Sequence, residues 1–291
     1  MISYNPKKWV SFIFLFHKAD TFRKLLWLIV AFCAYASLIA WLEASVFHLL
    51  ETSHLRNISI LHSLLGFVIS LLLVFRTNTA YDRWWEGRKQ WGALVNNSRN
   101  LAIKLSAILG DDEENCSFFR NTIPAYAAAL RDHLRSNTTR IELFDNNPAL
   151  ADQIDHQKHV PNQVARIMLH RIMELHRAGR ISGDQLIILD TELQSFTDIC
   201  GACERIKNTP IPFSYAVFIK KFIFFYVLSL PLGYVFSMGY LIVPVTGFVF
   251  YVIASLELVA EEIEDPFGND PNDLPTGKIA HNIQVHIHEL L

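Results

Sequence analysis

Three apolar stretches constrain this chain more than any other feature. Leu25 to Leu42 is 18 residues without a charge, and Ile58 to Phe75 is a second 18 in which only His62 can titrate. Phe222 to Leu256 is 35 residues without Asp, Glu, Lys, Arg or His. A helix that crosses a bilayer needs about 20 mostly apolar residues, within a range of about 17–25. The first two stretches each suit one span. The third is too long for one helix and is interrupted by Pro231, Gly233, Gly239 and Pro244. It predicts a tight hairpin of two helices turning near Ser237-Met238-Gly239, with Lys220 and Lys221 snorkelling at its start. A buried core helix explains one such stretch in 291 residues, not three. A secretory signal fits the small residues at Ala34-Tyr35-Ala36, but the apolar run starts late and continues past them.

Orientation follows from Lys and Arg in the flanks. Residues 1–24 carry Lys7, Lys8, Lys18, Arg23 and Lys24, whereas 43–57 carries only Arg56. Arg76, Arg83, Arg88, Lys89 and Arg99 follow the second span, and Lys207, Lys220 and Lys221 precede the third stretch. Both termini and the middle therefore face the cytoplasm, and four spans satisfy the even count. The expected address is the inner membrane.

Between the spans, residues 76–216 have helical periodicity and little strand alternation. Trp84, Trp85, Arg88, Trp91, Leu94 and Val95 recur at three- and four-residue spacing. Asp111 to Asn115 reads as a loop, Phe118 to Leu134 as a helix, and 137–155 as a polar loop. Val164 to Ala178 and Gln185 to Lys207 read as two further helices. The expected fold class is an all-α membrane protein, with four transmembrane helices per subunit and a large helical cytoplasmic region. Its parts divide at 1–80 (N-terminal segment and first two spans), 81–216 (cytoplasmic helices), 217–258 (last two spans) and 259–291 (C-terminal tail).

Only 19% of residues are charged, against about 25% in a typical soluble domain. The net charge of −2 gives no reason to expect nucleic acid as a partner. Cys200-Gly201-Ala202-Cys203 lacks the second ligand pair or βαβ context that zinc or redox chemistry needs. The twelve histidines contain no HExxH spacing, and His286 and His288 read as surface residues. No catalytic triad or phosphate-binding glycine loop is present, so an enzyme is not expected. The apolar runs hold no acid to carry a proton, which disfavours a proton-coupled transporter. His62 suits a helix contact.

Two patterns carry functional information. In the second span Ser63, Gly66 and Ser70 form a small-residue face suited to close helix approach. Phe67, Leu71 and Phe75 recur every four residues, roughly 110° around the helix from it. They point either to lipid or, in a ring of subunits, into an apolar neck that gates by dewetting. Arg76, just beyond, suits headgroup contact or carbonyl capping. After the last span, Glu261 to Pro275 packs acids among prolines and glycine, which suits either calcium ligation or a solvated acidic turn.

The stretches FRTNTAYDRWWEGRKQW, CERIKNTPIPFSY and EEIEDPFGNDPNDLP, in that order, resemble the bestrophin family in its bacterial branch. The resemblance implies a homopentamer around one central pore in the lipid bilayer. It also implies passive conduction of monovalent ions, mostly chloride, with cations passed by some bacterial members. By motif position it places a three-tiered hydrophobic gate on Phe67, Leu71 and Phe75. A second, cytoplasmic aperture falls near Gln185, with Ile188 as the alternative. No cofactor is required. Calcium, which animal members bind in a clasp, would take side chains of Asp270 and Asp273 and carbonyls of Glu262 and Asp265. Pro271 and Asn272 break the family's run of acids there.

Overall fold

A computed structural model describes residues 21–47, 58–135 and 154–291. Lys7, Lys8, Lys18 and Arg56, and the predicted loop 137–155 up to residue 153, lie outside them. The described residues form helices only: α1 (Thr21–Leu42), α2 (Ile58–Leu109), α3 (Glu113–Arg135), α4 (Val160–Arg177), α5 (Gly183–Asn208), α6 (Phe213–Met238), α7 (Ile242–Glu264) and α8 (Thr276–Leu290). A π-helical turn, Glu43–Phe47, ends α1, and a 3₁₀ turn, Gly239–Leu241, joins α6 to α7. Among the described residues, three stretches are long and apolar enough to cross a membrane: Thr21–Ser45, Ser59–Leu109 and Phe213–Glu264.

The chain forms two compact units. One takes the residues up to Arg83 together with Pro210–Glu264, and the other Trp84–Thr209 with Asp265–Leu291. In the first, α1, the start of α2, α6 and α7 alternate in direction. Lys24 near the start of α1 meets Glu262 near the end of α7, while Cys33 meets Val243. His62 and Tyr215 tie α2 to α6 in antiparallel register through Tyr226 and Leu72. Leu25, Phe32, Ile69, Leu73, Ile219, Ile223, Val227 and Phe250 fill the space between the helices.

The predicted hairpin turn is present. Gly239 follows α6 with φ of 52°, a left-handed conformation that costs glycine nothing. Pro231 and Gly233, in contrast, do not interrupt the run. Both are buried inside α6, where neighbouring helices can satisfy the carbonyl that a proline frees.

The second unit is a helical body built around Trp91, Leu101 and Leu105 of α2, Phe119, Tyr126 and Leu130 of α3, Met168 of α4, and Phe196 and Cys203 of α5. Tyr126 donates to the Phe196 carbonyl at 2.6 Å and meets the Phe196 ring edge-on. Helix α3 starts five residues before its predicted start at Phe118. Asp112 caps it by accepting from the Asn115 N–H, and Glu113 and Glu114 favour its positive end. The expected loop at 111–115 therefore shrinks to a two-residue turn. Helix α5 likewise starts at Gly183, and α8 gathers Ile279, Ile283 and Ile287 onto one buried stripe.

Candidate functional site

Helix α2 presents two opposed faces in the apolar unit. His62, Ile69, Leu73, Arg76 and Ala80 are buried, and at 100° per residue they fall within about 40° of one line. Phe67, Leu71 and Phe75 centre about 180° from that line, and they are 72%, 46% and 56% exposed. Among the described residues these bulky side chains stay largely uncovered, because the helix turns them away from its own bundle. Of the small-residue face, Gly66 alone makes an inter-helix approach. A Cβ there would lie 2.8 Å from the Tyr226 hydroxyl, while Ser63 and Ser70 are exposed and bond to carbonyls of their own helix. His62 plays the expected contact role. Its Nε2 donates to the Tyr226 carbonyl at 3.0 Å and its ring stacks on Tyr226 at 3.8 Å.

Arg76 departs from expectation. Rather than reaching headgroups, it is 1% exposed and lies between two carboxylates of α7. Its Nη2 is 2.7 Å from Glu264, and its Nε is 3.4 Å from both oxygens of Glu257. Glu264 also accepts the Ile211 N–H, and its carbonyl accepts from Arg83. Lys24 pairs with Glu262 at 2.6 Å and Lys220 with Glu261 at 2.9 Å. One end of α7 is thus tied by ion pairs to α1, α2 and α6. The acids from Glu261 onward read from sequence as a solvated or cation-binding turn, but three of them, Glu261, Glu262 and Glu264, are spent in ion pairs within the chain. Glu257 lies just past the charge-free window, which is why its partnership with Arg76 was not visible.

The aperture residues also separate. Gln185 is the third residue of α5, and its amide is engaged in a capping box with Ser182, in which each side chain bonds the other's backbone. Ile188 is 45% exposed and its neighbour Ile187 66%. Ile187 lies opposite the buried Leu189, Leu193, Phe196 stripe.

In the acidic loop, Asp273 is buried. One oxygen accepts from the Asp270 N–H, and Oδ1 has no hydrogen-bond partner among the described residues. A Cβ on Gly268 would lie 2.7 Å from Asp273 Oδ2 and 3.8 Å from Asp265 Oδ2, so two carboxylates approach one bare backbone position. Burial, then the nearby Asp270 and Asp265, push the Asp273 carboxyl up to about 6, against the opposing pull of the Asp270 N–H. An orphaned oxygen and crowded carboxylates fit a cation. Glu262 belongs to the other unit, and its side chain is taken by Lys24.

The raised carboxyl makes a pH prediction. Folding favours protonated Asp273, so its contribution is fully present below the unfolded value near 4 and is lost as pH rises through about 6. Asp273→Asn keeps an acceptor without the charge. It should raise the melting temperature above pH 6 and leave it unchanged below pH 4, as read by thermal unfolding in detergent.

Comparison with known proteins agrees with this architecture. The sequence pattern described as Bacterial/Fungal Bestrophin protein matches residues 1–289. A voltage-dependent anion channel-forming protein of Nostoc sp. is 36% identical over 228 residues, which cover 77% of this chain and 74% of that protein. One of Escherichia coli strain K12, YneE, is 31% identical over 238 residues, covering 77% and 74%. The crystal structure of a bacterial bestrophin homolog from Klebsiella pneumoniae aligns with a TM-score of 0.79 at 25% identity, covering 91% of this chain and 98% of that one. The chain belongs to the bacterial and fungal bestrophin family of membrane proteins.

Proposed function

We propose that this chain is one subunit of a homopentameric channel of the bacterial inner membrane. It conducts monovalent anions, chloride foremost, through a neck lined by Phe67, Leu71 and Phe75 from five copies of α2. The observation that carries this reading is the opposition of faces on α2: one face is packed and ion-paired into its own subunit, and the other is bulky, apolar and uncovered. Four membrane helices per subunit, α1, α2, α6 and α7, bring both termini and the helical unit to the cytoplasmic side, by the distribution of Lys and Arg. A dry ring of this kind gates by wetting. Beyond it, Ile187 and Ile188 supply an aliphatic aperture. The names of the relatives support an anion channel rather than an enzyme. Asp270 and Asp273, with Asp265, would hold calcium as oxygen ligands, and conduction does not depend on it.

One observation favours a second reading, a monovalent-cation channel of the same fold. Asp82 lies on the neck line, seven residues and about 10 Å beyond Phe75. It is exposed and has no ion-pair partner among the described residues. Five copies would form a ring of negative charge about one Debye length from the neck, which draws cations and repels anions.

Purified protein in a planar bilayer under a salt gradient tests both readings. A mass of five subunits in detergent with single-channel currents reversing toward the chloride potential is expected. Reversal toward the cation potential selects the second reading. A monomer or dimer without current removes both and leaves a membrane-anchored interaction protein. Asp82→Asn should shift the reversal potential toward chloride in either case.

A further inference from the structure

The helical unit contains a cluster that conduction does not use. His133 lies in the last turn of α3, His159 caps the start of α4, and Glu204 lies near the end of α5. Glu204 Oε1 is 2.7 Å from His133 Nε2 and 2.6 Å from His159 Nε2, and the two rings are 4.4 Å apart. All three ligand atoms lie within 4.8 Å of one another, and each side chain is about a third exposed or less. Although burial alone would raise it, the Glu204 carboxyl is held below its ordinary range by hydrogen bonds from the two imidazoles. It is therefore ionised and available as a ligand.

We infer that His133, His159 and Glu204 form a binding site for a divalent transition metal of the zinc class, with solvent in the fourth position. Two imidazoles and one carboxylate suit zinc, which prefers four tetrahedral N, O or S ligands, over calcium, which takes oxygen. Zinc bonds of about 2.0–2.2 Å would set tetrahedral ligand atoms roughly 3.4 Å apart. The observed 2.6–2.7 Å separations are those of the metal-free hydrogen bonds, so loading opens the trio by less than one ångström.

The proton accounting closes. His159 Nδ1 accepts the Asn162 N–H, so the neutral ring carries its proton on Nε2 and donates it to Glu204. Loading replaces that proton with the metal. A ligating imidazole stays neutral, so the proton moves to Nδ1 and the bond that Nδ1 accepts from the Asn162 N–H is given up. The adjacent thiols do not compete, because burial pushes Cys200 up to about 12 and raises Cys203 further. Lys207 donates to the His133 carbonyl from outside the trio. Because the three residues come from three helices, a bound ion staples α3, α4 and α5 at one end. The inference does not depend on whether the chain conducts.

The test uses the full chain in detergent, freed of any polyhistidine tag and stripped with chelator. Zinc chloride titrated by calorimetry, with metal content by mass spectrometry, should give one ion per chain and a higher melting temperature. Cobalt in its place should develop visible d–d absorption. Glu204→Gln and His159→Asn should each weaken zinc at least about 100-fold, since losing even an outer partner of a ligand costs 10–100-fold. Asparagine is a preferred helix cap, so His159→Asn keeps the start of α4 and decides the question if the other variant misfolds. His156→Ala, outside the trio, should bind as the parent does. No zinc bound at micromolar concentration, or undiminished binding in His159→Asn, overturns the site and leaves a hydrogen-bonded structural triad.

Discussion

Alanine at Phe67, Leu71 or Phe75 should raise the open probability of the channel without weakening the subunit. In the proposed pentamer the closed state would exclude water because five apolar side chains would face each other at every tier, and wetting them would have a cost in proportion to their area. Hiding one Phe or Leu side chain from water is worth about 1.5–3 kcal/mol. A tier of five that is relieved of only about 1.4 kcal/mol in total already shifts the open-to-closed ratio tenfold. Phe67→Ala and Phe75→Ala remove the largest area, so single-channel recordings should show at least about a tenfold rise for each and a smaller one for Leu71→Ala. The same helix supplies the control. Ile69 and Leu73 face the bundle at 2% and 3% exposure, and alanine there should cost about 2–5 kcal/mol of stability. Neck variants that gate as the parent does, or that melt like the Ile69 and Leu73 variants, would remove the neck assignment.

Much of this was legible in the sequence because it is written in nearest-neighbour terms. Length and lack of charge mark the apolar helices, Gly239 marks the turn, and a four-residue repeat isolates Phe67, Leu71 and Phe75. The direction in which that stripe points was not legible. It depends on where Ile69, Leu73 and Arg76 find partners, and Arg76 and Glu257 are 181 residues apart. Composition argued the wrong way for Arg76, since an arginine at a helix end ordinarily reaches water or headgroups. The cap at Asp112 and the box at Ser182 with Gln185 were readable as short motifs, and they explain why α3 and α5 start early. The histidine and glutamate trio had no such signal. Glu204 lies 71 residues from His133 and 45 from His159, and neither spacing resembles a local metal motif.

The buried arginine gives the second large effect. Arg76 faces Glu257 and Glu264 with almost no access to water, so removing it strands two carboxylates. Breaking a buried pair from one side typically costs about 3–5 kcal/mol, because the remaining charge is left unpaired. Arg76→Met, which keeps an unbranched chain of similar reach, should therefore lower stability by that amount in denaturant unfolding of the detergent-solubilised protein. Arg76→Lys should recover only part of it, because one ammonium cannot present Nε and Nη2 to two acceptors at once. Combining Arg76→Met with Glu257→Gln should recover much of the loss, since the second change removes the charge that the first abandoned. A double-mutant cycle reads this directly, and a coupling near zero would mean that Arg76 is held by packing rather than by its acids. The cycle also bears on gating. Phe75 precedes Arg76 by one residue on α2, so the pair fixes the rotation of the helix that turns the neck face outward from the subunit. Variants that loosen the pair should broaden the distribution of conductance states, while variants at Phe67 or Leu71 should change open probability alone.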